Sequence, residues 1–219
     1  MTGKTTDWNV PRGNKNQWIE HRNGRDVTVT DHPVRGERVE FLNEPDDPAT
    51  GPLTLKFYLE VGHTVDEHSH PEQTETLTVN SGRLHTTVDG EESDLEEGDN
   101  MRIPPTVPHG YEVIGEEPVV LSVSITPGLT FKEFVVAEHA LDADAYPESG
   151  LNLPYIALVS KRYGPMIAPP EPSTVGRLLG AVFARVAHVR GHRIPDEPLP
   201  VREASDPSST DSEATSETS

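Results

Sequence analysis

From Asp26 the chain alternates between apolar and polar residues. Val27 and Val29 take turns with threonines, and Leu53, Leu55, Phe57, Leu59 and Val61 alternate with Thr54, Lys56, Tyr58 and Glu60. A period of two sends successive side chains to opposite faces of an extended chain, so these runs predict strands with one buried face. Shorter runs follow at 75–79, 83–88, 100–103, 109–114 and 119–125. Asn80-Ser81-Gly82, Asp89-Gly90, Glu97-Gly98-Asp99 and Gly115-Glu116-Glu117-Pro118 punctuate them, and Asp-Gly between two alternating runs signals a hairpin. Many short strands with regular turns and no helical period between them predict a β-sandwich or barrel.

After Thr126 the period lengthens. Thr130 and Glu133 have the spacing of a capping box and predict a helix to about Leu141, with Phe134, Val135 and Leu141 on its apolar side, bounded by Pro147 and Gly150. A short element covers Tyr155 to Arg162. A further helix starts at Ser173 or Thr174, with apolar residues at 175, 178, 179, 182, 183 and 186. The predicted organisation is a polar N-terminal arm over 1–25, a β-barrel over 26–126, a helical extension over 127–195 and an acidic tail over 196–219. The tail is expected to be disordered, because it holds too little apolar surface to repay ordering. In the arm, Trp8 and Trp18 are expected to cover apolar surface.

Charge narrows the function classes. The chain carries 37 acidic and 18 basic side chains for a net charge of −19, and without residues 196–219 the balance is still −13. A surface of that sign repels phosphate, so no nucleic-acid partner is expected. Only five of the basic residues are lysine, and an acidic, lysine-poor surface is the style of proteins from halophilic archaea. No window approaches the roughly 18 to 20 apolar residues that span a bilayer, and the N-terminus lacks an apolar leader, so the expected location is the cytoplasm. The third helix is an exception to the acidity. Arg177, Arg185 and Arg190 lie on it with no acid between Ser173 and Pro195, beside a ridge of Gly176, Gly180 and Ala184. Such a helix can lie on a membrane surface. Packing on the acidic barrel or on a second copy is the preferred reading, with a homodimer as the expected assembly.

There is no cysteine, so a metal site must use histidine, carboxylate or amide donors. His68 and His70 stand two apart in extended chain and so share a face. Glu75 shares parity with Leu77 and Val79 and should point inward, where a carboxylate needs a partner. Gln73 has the same parity and is the rival donor, although an amide oxygen is the weaker ligand. His109 alternates with Tyr111 and Val113 on a later strand. Together His68, His70, Glu75 and His109 could hold one divalent ion and leave one or two positions open on a six-coordinate metal. His63 and His85 read as ordinary surface or core histidines, and Tyr111 and Phe57 as barrel packing.

At these residues the chain resembles the cupin superfamily. The spacing G-x5-H-x-H-x4-E-x6-G is met at Gly62, His68, His70, Glu75 and Gly82. The second motif, G-x5-P-x-G-x2-H-x3-N, is met at Gly98, Pro104 and His109, with Thr106 and Val113 where the family usually has Gly and Asn. The resemblance implies a mainly β, double-sheet jelly-roll barrel over roughly residues 35–126, with the metal inside it. One barrel serves many reactions. The expected function is a metal-binding protein acting on a small oxygenated organic molecule, as a dioxygenase or isomerase, with iron, manganese, nickel or zinc as the ion and, for an oxygenase, Glu75 or a metal-bound hydroxide as the base. The alternative is a non-catalytic, metal-dependent small-molecule sensor or carrier.

Overall fold

The computed structural model describes residues 16–141, 143–146, 152–168, 182–183, 185–189, 191–194, 199 and 201–203. The first sheet takes β1 (Gln17–Arg22), β2 (Arg25–His32), β3 (Glu37–Asn43), β4 (Leu53–Leu59), β6 (Thr74–Ser81), β9 (Asn100–Ile103), β11 (Val119–Thr126) and β12 (Val201–Glu203). Its spatial order is β12-β1-β2-β3-β4-β11-β6-β9. The second sheet takes β5 (Thr64–His68), β7 (Leu84–Val88), β8 (Glu91–Leu95) and β10 (His109–Val113) in the order β5-β10-β7-β8. Pairing is antiparallel throughout except between β1 and β12. Two antiparallel sheets with crossed connections make a jelly roll, as the sequence predicts, and helices follow it.

Alternation builds the core. In β4, Leu53, Leu55, Phe57 and Leu59 are buried while Thr54, Lys56 and Tyr58 are half-buried on the other face. Leu77 and Val79 of β6 and Leu121, Val123 and Ile125 of β11 join them, and Leu84, Tyr111 and Val113 come from the second sheet. Each fully buried aliphatic or aromatic side chain contributes about 1.5–3 kcal/mol. The Asp89-Gly90 pair turns β7 into β8 with φ of 51° and 78°, the positive angles that a two-residue hairpin loop requires.

Four strands escape the hydrophobic pattern. Within the stretch read as a polar arm, residues 17–22 form β1 against β2, so the sheet begins before residue 26. Its polar side chains are paired within the sheet: Arg22 donates to both carboxylate oxygens of Glu40 in β3 at 2.9 and 2.8 Å, and Trp18 Nε1 donates to Glu20 at 2.8 Å. Trp18 is buried with Val27 and Val29, as expected, while Trp8 lies outside the described residues. β3 has only Val39 and Phe41 as inward apolar residues, and β5 and β8 bury one side chain each, His68 and Leu95. Backbone pairing holds these strands, and it leaves no trace in side-chain period.

The helical extension differs from its sequence reading in three places. Helix α1 spans Phe131–Glu138 and stops short of Leu141. Thr130 occupies the N-cap position without capping the helix. Its hydroxyl donates instead to the Tyr163 carbonyl at 2.5 Å, so no capping box forms. A 3-10 turn follows at Ala143–Ala145, and α2 spans Leu153–Tyr163, with Asn152 Oδ1 accepting from the Tyr155 N–H at 3.1 Å. Tyr155 fixes α2 on α1 by donating its hydroxyl to the Ala137 carbonyl at 2.8 Å. The start of the third helix and its glycine ridge lie outside the described residues. Residues 182–183 and 185–189 are helical, but Val182, expected on the apolar stripe, is half exposed while Ala187 is buried. In the tail read as disordered, Val201–Glu203 form β12 against β1. Among the described residues no helix is long and apolar enough to cross a membrane.

Candidate metal centre

The site sits between the sheets. β5 ends on His68, β10 begins on His109, and these two residues are register partners. His70 follows two residues after His68, and Glu75 is the second residue of β6 in the opposite sheet, paired with Ile125 and Ile103. The parity expected for Glu75 holds: it faces inward with Leu77 and Val79, and all three are buried.

The four side chains expected to act together do converge. One donor atom from each of His68, His70, Glu75 and His109 lies within 4.8 Å of the others. Glu75 Oε2 is 3.0 Å from His70 Nε2 and 3.1 Å from His109 Nε2. The ring centres of His68 and His109 are 4.3 Å apart, and those of His68 and His70 are 5.1 Å apart. Each Nδ1 donates to a backbone carbonyl: His68 to Asp66 at 2.9 Å, His109 to Val107 at 3.0 Å and His70 to Met166 at 2.8 Å. With the outer nitrogens so engaged, all three Nε2 atoms are left for the centre, which is how ligating histidines are held. Three imidazoles and a carboxylate without sulfur suit a first-row divalent ion, so the donor set fits the metal that the sequence implies.

Burial and charge act in opposition here. Burial alone would raise the Glu75 carboxyl, yet hydrogen bonds from His109 and His70 outweigh it and hold Glu75 well below the usual carboxylate range. Burial also opposes protonation of His109, but Glu75 beside it raises that imidazole above its ordinary value. His68 lacks such a partner. Burial, with the neighbouring His109 and His70, pushes it down to about 4, so it is a neutral donor at neutral pH. Tyr111 is buried and its hydroxyl is pushed well above its usual value by burial and by Glu75 and Glu37, so it remains a phenol. The Phe131 ring meets the His70 ring edge-on at 5.7 Å.

Gln73 and His85 stand differently. Gln73 is buried; its amide nitrogen donates to the Gly128 carbonyl at 3.3 Å, while its Oε1 has no hydrogen-bond partner among the described residues. His85 is at the surface beside Asp94 at 2.8 Å. Gly82 is required where it stands, since a Cβ there would meet the Pro118 carbonyl oxygen and a Val119 methyl at 2.7 Å each. Thr106, where the resemblance expects glycine, keeps the left-handed turn at φ 66°, and its N–H donates to the His70 carbonyl at 2.8 Å. The turn that carries His109 is thus tied to the loop that carries His70.

Sequence reasoning missed two features. One is the Met166 carbonyl, a backbone atom with no signature in residue type. The other is a second buried group of ionisable side chains: His32 at the end of β2, Glu37 at the start of β3, His63 before β5, and Glu138 with His139 at the end of α1. His63 Nε2 is 3.4 Å from Glu37, His139 Nε2 is 3.6 Å from Glu37 and 3.2 Å from Glu138, and His32 Nε2 is 3.6 Å from Glu138. His63, read as a surface or core histidine, is buried and donates from Nδ1 to the Arg35 carbonyl at 2.8 Å. His32 and Glu37 also line a cleft of about 390 Å³ with Asp31, Arg38, Tyr58 and Glu60.

Residues 55–126 match a family model described as a cupin domain. No curated protein matches the chain. Among solved structures, KdgF from a Halomonas species is 17% identical over 45% of this chain and 84% of its own, with a TM-score of 0.40. An RmlC-like cupin from Shewanella frigidimarina is 22% identical over 51% of this chain and 94% of its own, with a TM-score of 0.42. The cupin domain of an XRE-family transcriptional regulator from Enterobacter cloacae is 25% identical over 42% of this chain and 96% of its own, with a TM-score of 0.37.

Proposed function

We propose that His68, His70, Glu75 and His109 hold one divalent ion (iron, manganese, nickel or zinc) and that the protein acts there on a small oxygen-bearing organic molecule, a reading supported by the match of residues 55–126 to a cupin-domain model. The observation that carries this reading is the convergence of four buried donors with the outer nitrogen of every imidazole already satisfied. When bound, the ion supplies Lewis acidity at positions the protein leaves open. His68, His70 and His109 contribute neutral nitrogens, and Glu75 contributes the one negative charge. Binding at this set releases the protons that Glu75 shares with His70 and His109. Glu75 is the residue assigned as base toward a substrate hydroxyl or acidic C–H. On the His70 side the Phe131 ring packs edge-on against the imidazole, and both Phe131 and Met166 are buried.

The test is catalysis by iron-, manganese-, nickel- and zinc-loaded protein against diketones, catechols, flavonols and hydroxy acids, followed by oxygen uptake and by product analysis, with His70→Ala as the blank. Turnover that depends on His70 is the expected result. Tight metal-dependent binding of one such compound without conversion of any would overturn the enzymatic reading and make the protein a carrier or sensor.

A further inference from the structure

Two of the three histidines are held by the chain just before them. His68 and His109 each donate Nδ1 to a carbonyl two residues earlier, at Asp66 and Val107. His70 is different: its acceptor is Met166, 96 residues further along, in the segment after α2. That segment is pinned on both sides of the bond. Ala168 and Ser69 exchange both backbone hydrogen bonds, each at 2.9 Å, and Ser69 lies between His68 and His70. Upstream, the Thr130 hydroxyl donates to the Tyr163 carbonyl at 2.5 Å and faces Met166 Sδ at 3.6 Å. The Met166 side chain is buried in the main core, while Ile167 beside it is exposed. Thr130 precedes Phe131, whose ring meets His70.

From this geometry we infer that residues 164–168 are a strap that belongs to the metal centre, with the Met166 carbonyl as the positioning group for His70. This rests on the metal-binding reading above. A carbonyl can only accept, so the bond keeps the proton of His70 on Nδ1 and fixes the ring with Nε2 toward Glu75. Without the strap the ring is free to turn about its χ2 angle, and water competes for Nδ1. The helical extension therefore does more than follow the barrel in sequence, because its Gly164–Ala168 end completes one ligand. Partners of this kind, in the shell outside the ligands, change metal affinity by about 10- to 100-fold when lost.

The test uses the full chain with Ala168→Pro, which removes the N–H that donates to Ser69 and so opens the bridge. Zinc affinity, measured by competition with a chromophoric chelator, is expected to fall by about 10- to 100-fold. In a His70→Ala background the same change is expected to have no further effect, since the strap acts through His70. A second reading needs no metal: proton–nitrogen spectra of the metal-free protein should show the His70 Nδ1–H, protected by its bond to the Met166 carbonyl, becoming exchange-labile in Ala168→Pro, while the Nδ1–H signals of His68 and His109 stay as they are. Thr130→Val cuts the anchor and leaves the strap backbone intact, and it should move both readings the same way even if Ala168→Pro does not fold. Unchanged affinity with an unchanged His70 ring in the folded variants would overturn the strap. Failure of the wild-type chain to bind zinc would overturn the metal reading instead, with the His70 spectra still deciding the strap.

Discussion

Thr106 shows how much a single residue can carry. It is exposed, it has φ 66°, and its N–H holds the His70 carbonyl. A β-branched side chain in the left-handed region costs about 1–2 kcal/mol, and among the described residues Thr106 hydrogen-bonds through its backbone N–H, not its hydroxyl. Thr106→Gly should therefore raise stability by about 1 kcal/mol, read as a higher melting temperature, with metal affinity unchanged. A lower melting temperature would show that the hydroxyl or methyl has a role the turn does not explain. At this scale the sequence was informative where parity and spacing act together: His68, His70, Glu75 and His109 could all be picked from them. Gln73 shared the parity of Glu75, and only position along the barrel separates the two. Met166 could not be picked, because its contribution is a carbonyl and any residue type supplies one.

Among the elements, α1 is where the sequence reading and the structure part most. Its capping box does not form, and its far end stops at Glu138 and His139, which turn into the buried group with His32, Glu37 and His63. Local propensity cannot foresee this, since the partners are about a hundred residues earlier in the chain. Burial opposes the charge on Glu138, yet His139 and His32 hold its carboxyl well below 4.5, and His139 is raised above 6.5 by Glu138 against the effect of its own burial. The two shifts define a window. The stability owed to Glu138 is present above pH 4.5 and is lost as pH falls toward its lowered value. That owed to His139 is present below pH 6.5 and is lost as pH rises through its raised value. Glu138→Gln leaves buried imidazoles without their counter-charge, so it should cost about 3 kcal/mol at pH 6 and flatten the acid side of the melting curve against pH. A variant with the wild-type pH profile would show that α1 is held by its apolar face alone. Strands β1, β5 and β8 make the complementary point. They pair through the backbone with few inward apolar residues, and so period-based reading passes over them.

The whole molecule is dominated by its charge of −19. Much of that charge is on turns and outer strands, as in β8, where Glu91, Glu92 and Asp94 are exposed and only Leu95 is buried. Repulsion between such groups reaches about 30 Å in 0.01 M salt and about 3 Å at 1 M. The melting temperature should therefore rise from dilute buffer to molar potassium chloride, and a flat or falling curve would remove the halophilic expectation. The barrel itself was legible because its inner faces alternate over several strands in succession, and the extension was less so because its contacts are with residues far back in the chain. We propose that four side chains from three stretches of the barrel, His68 with His70, Glu75 and His109, hold a single ion. Metal content of the untagged full-length protein, purified without chelators, tests it most directly. The expected result is about one ion per chain for the wild type and for His85→Ala, and well below one for His68→Ala and His109→Ala. Equal metal content in all four proteins would contradict it.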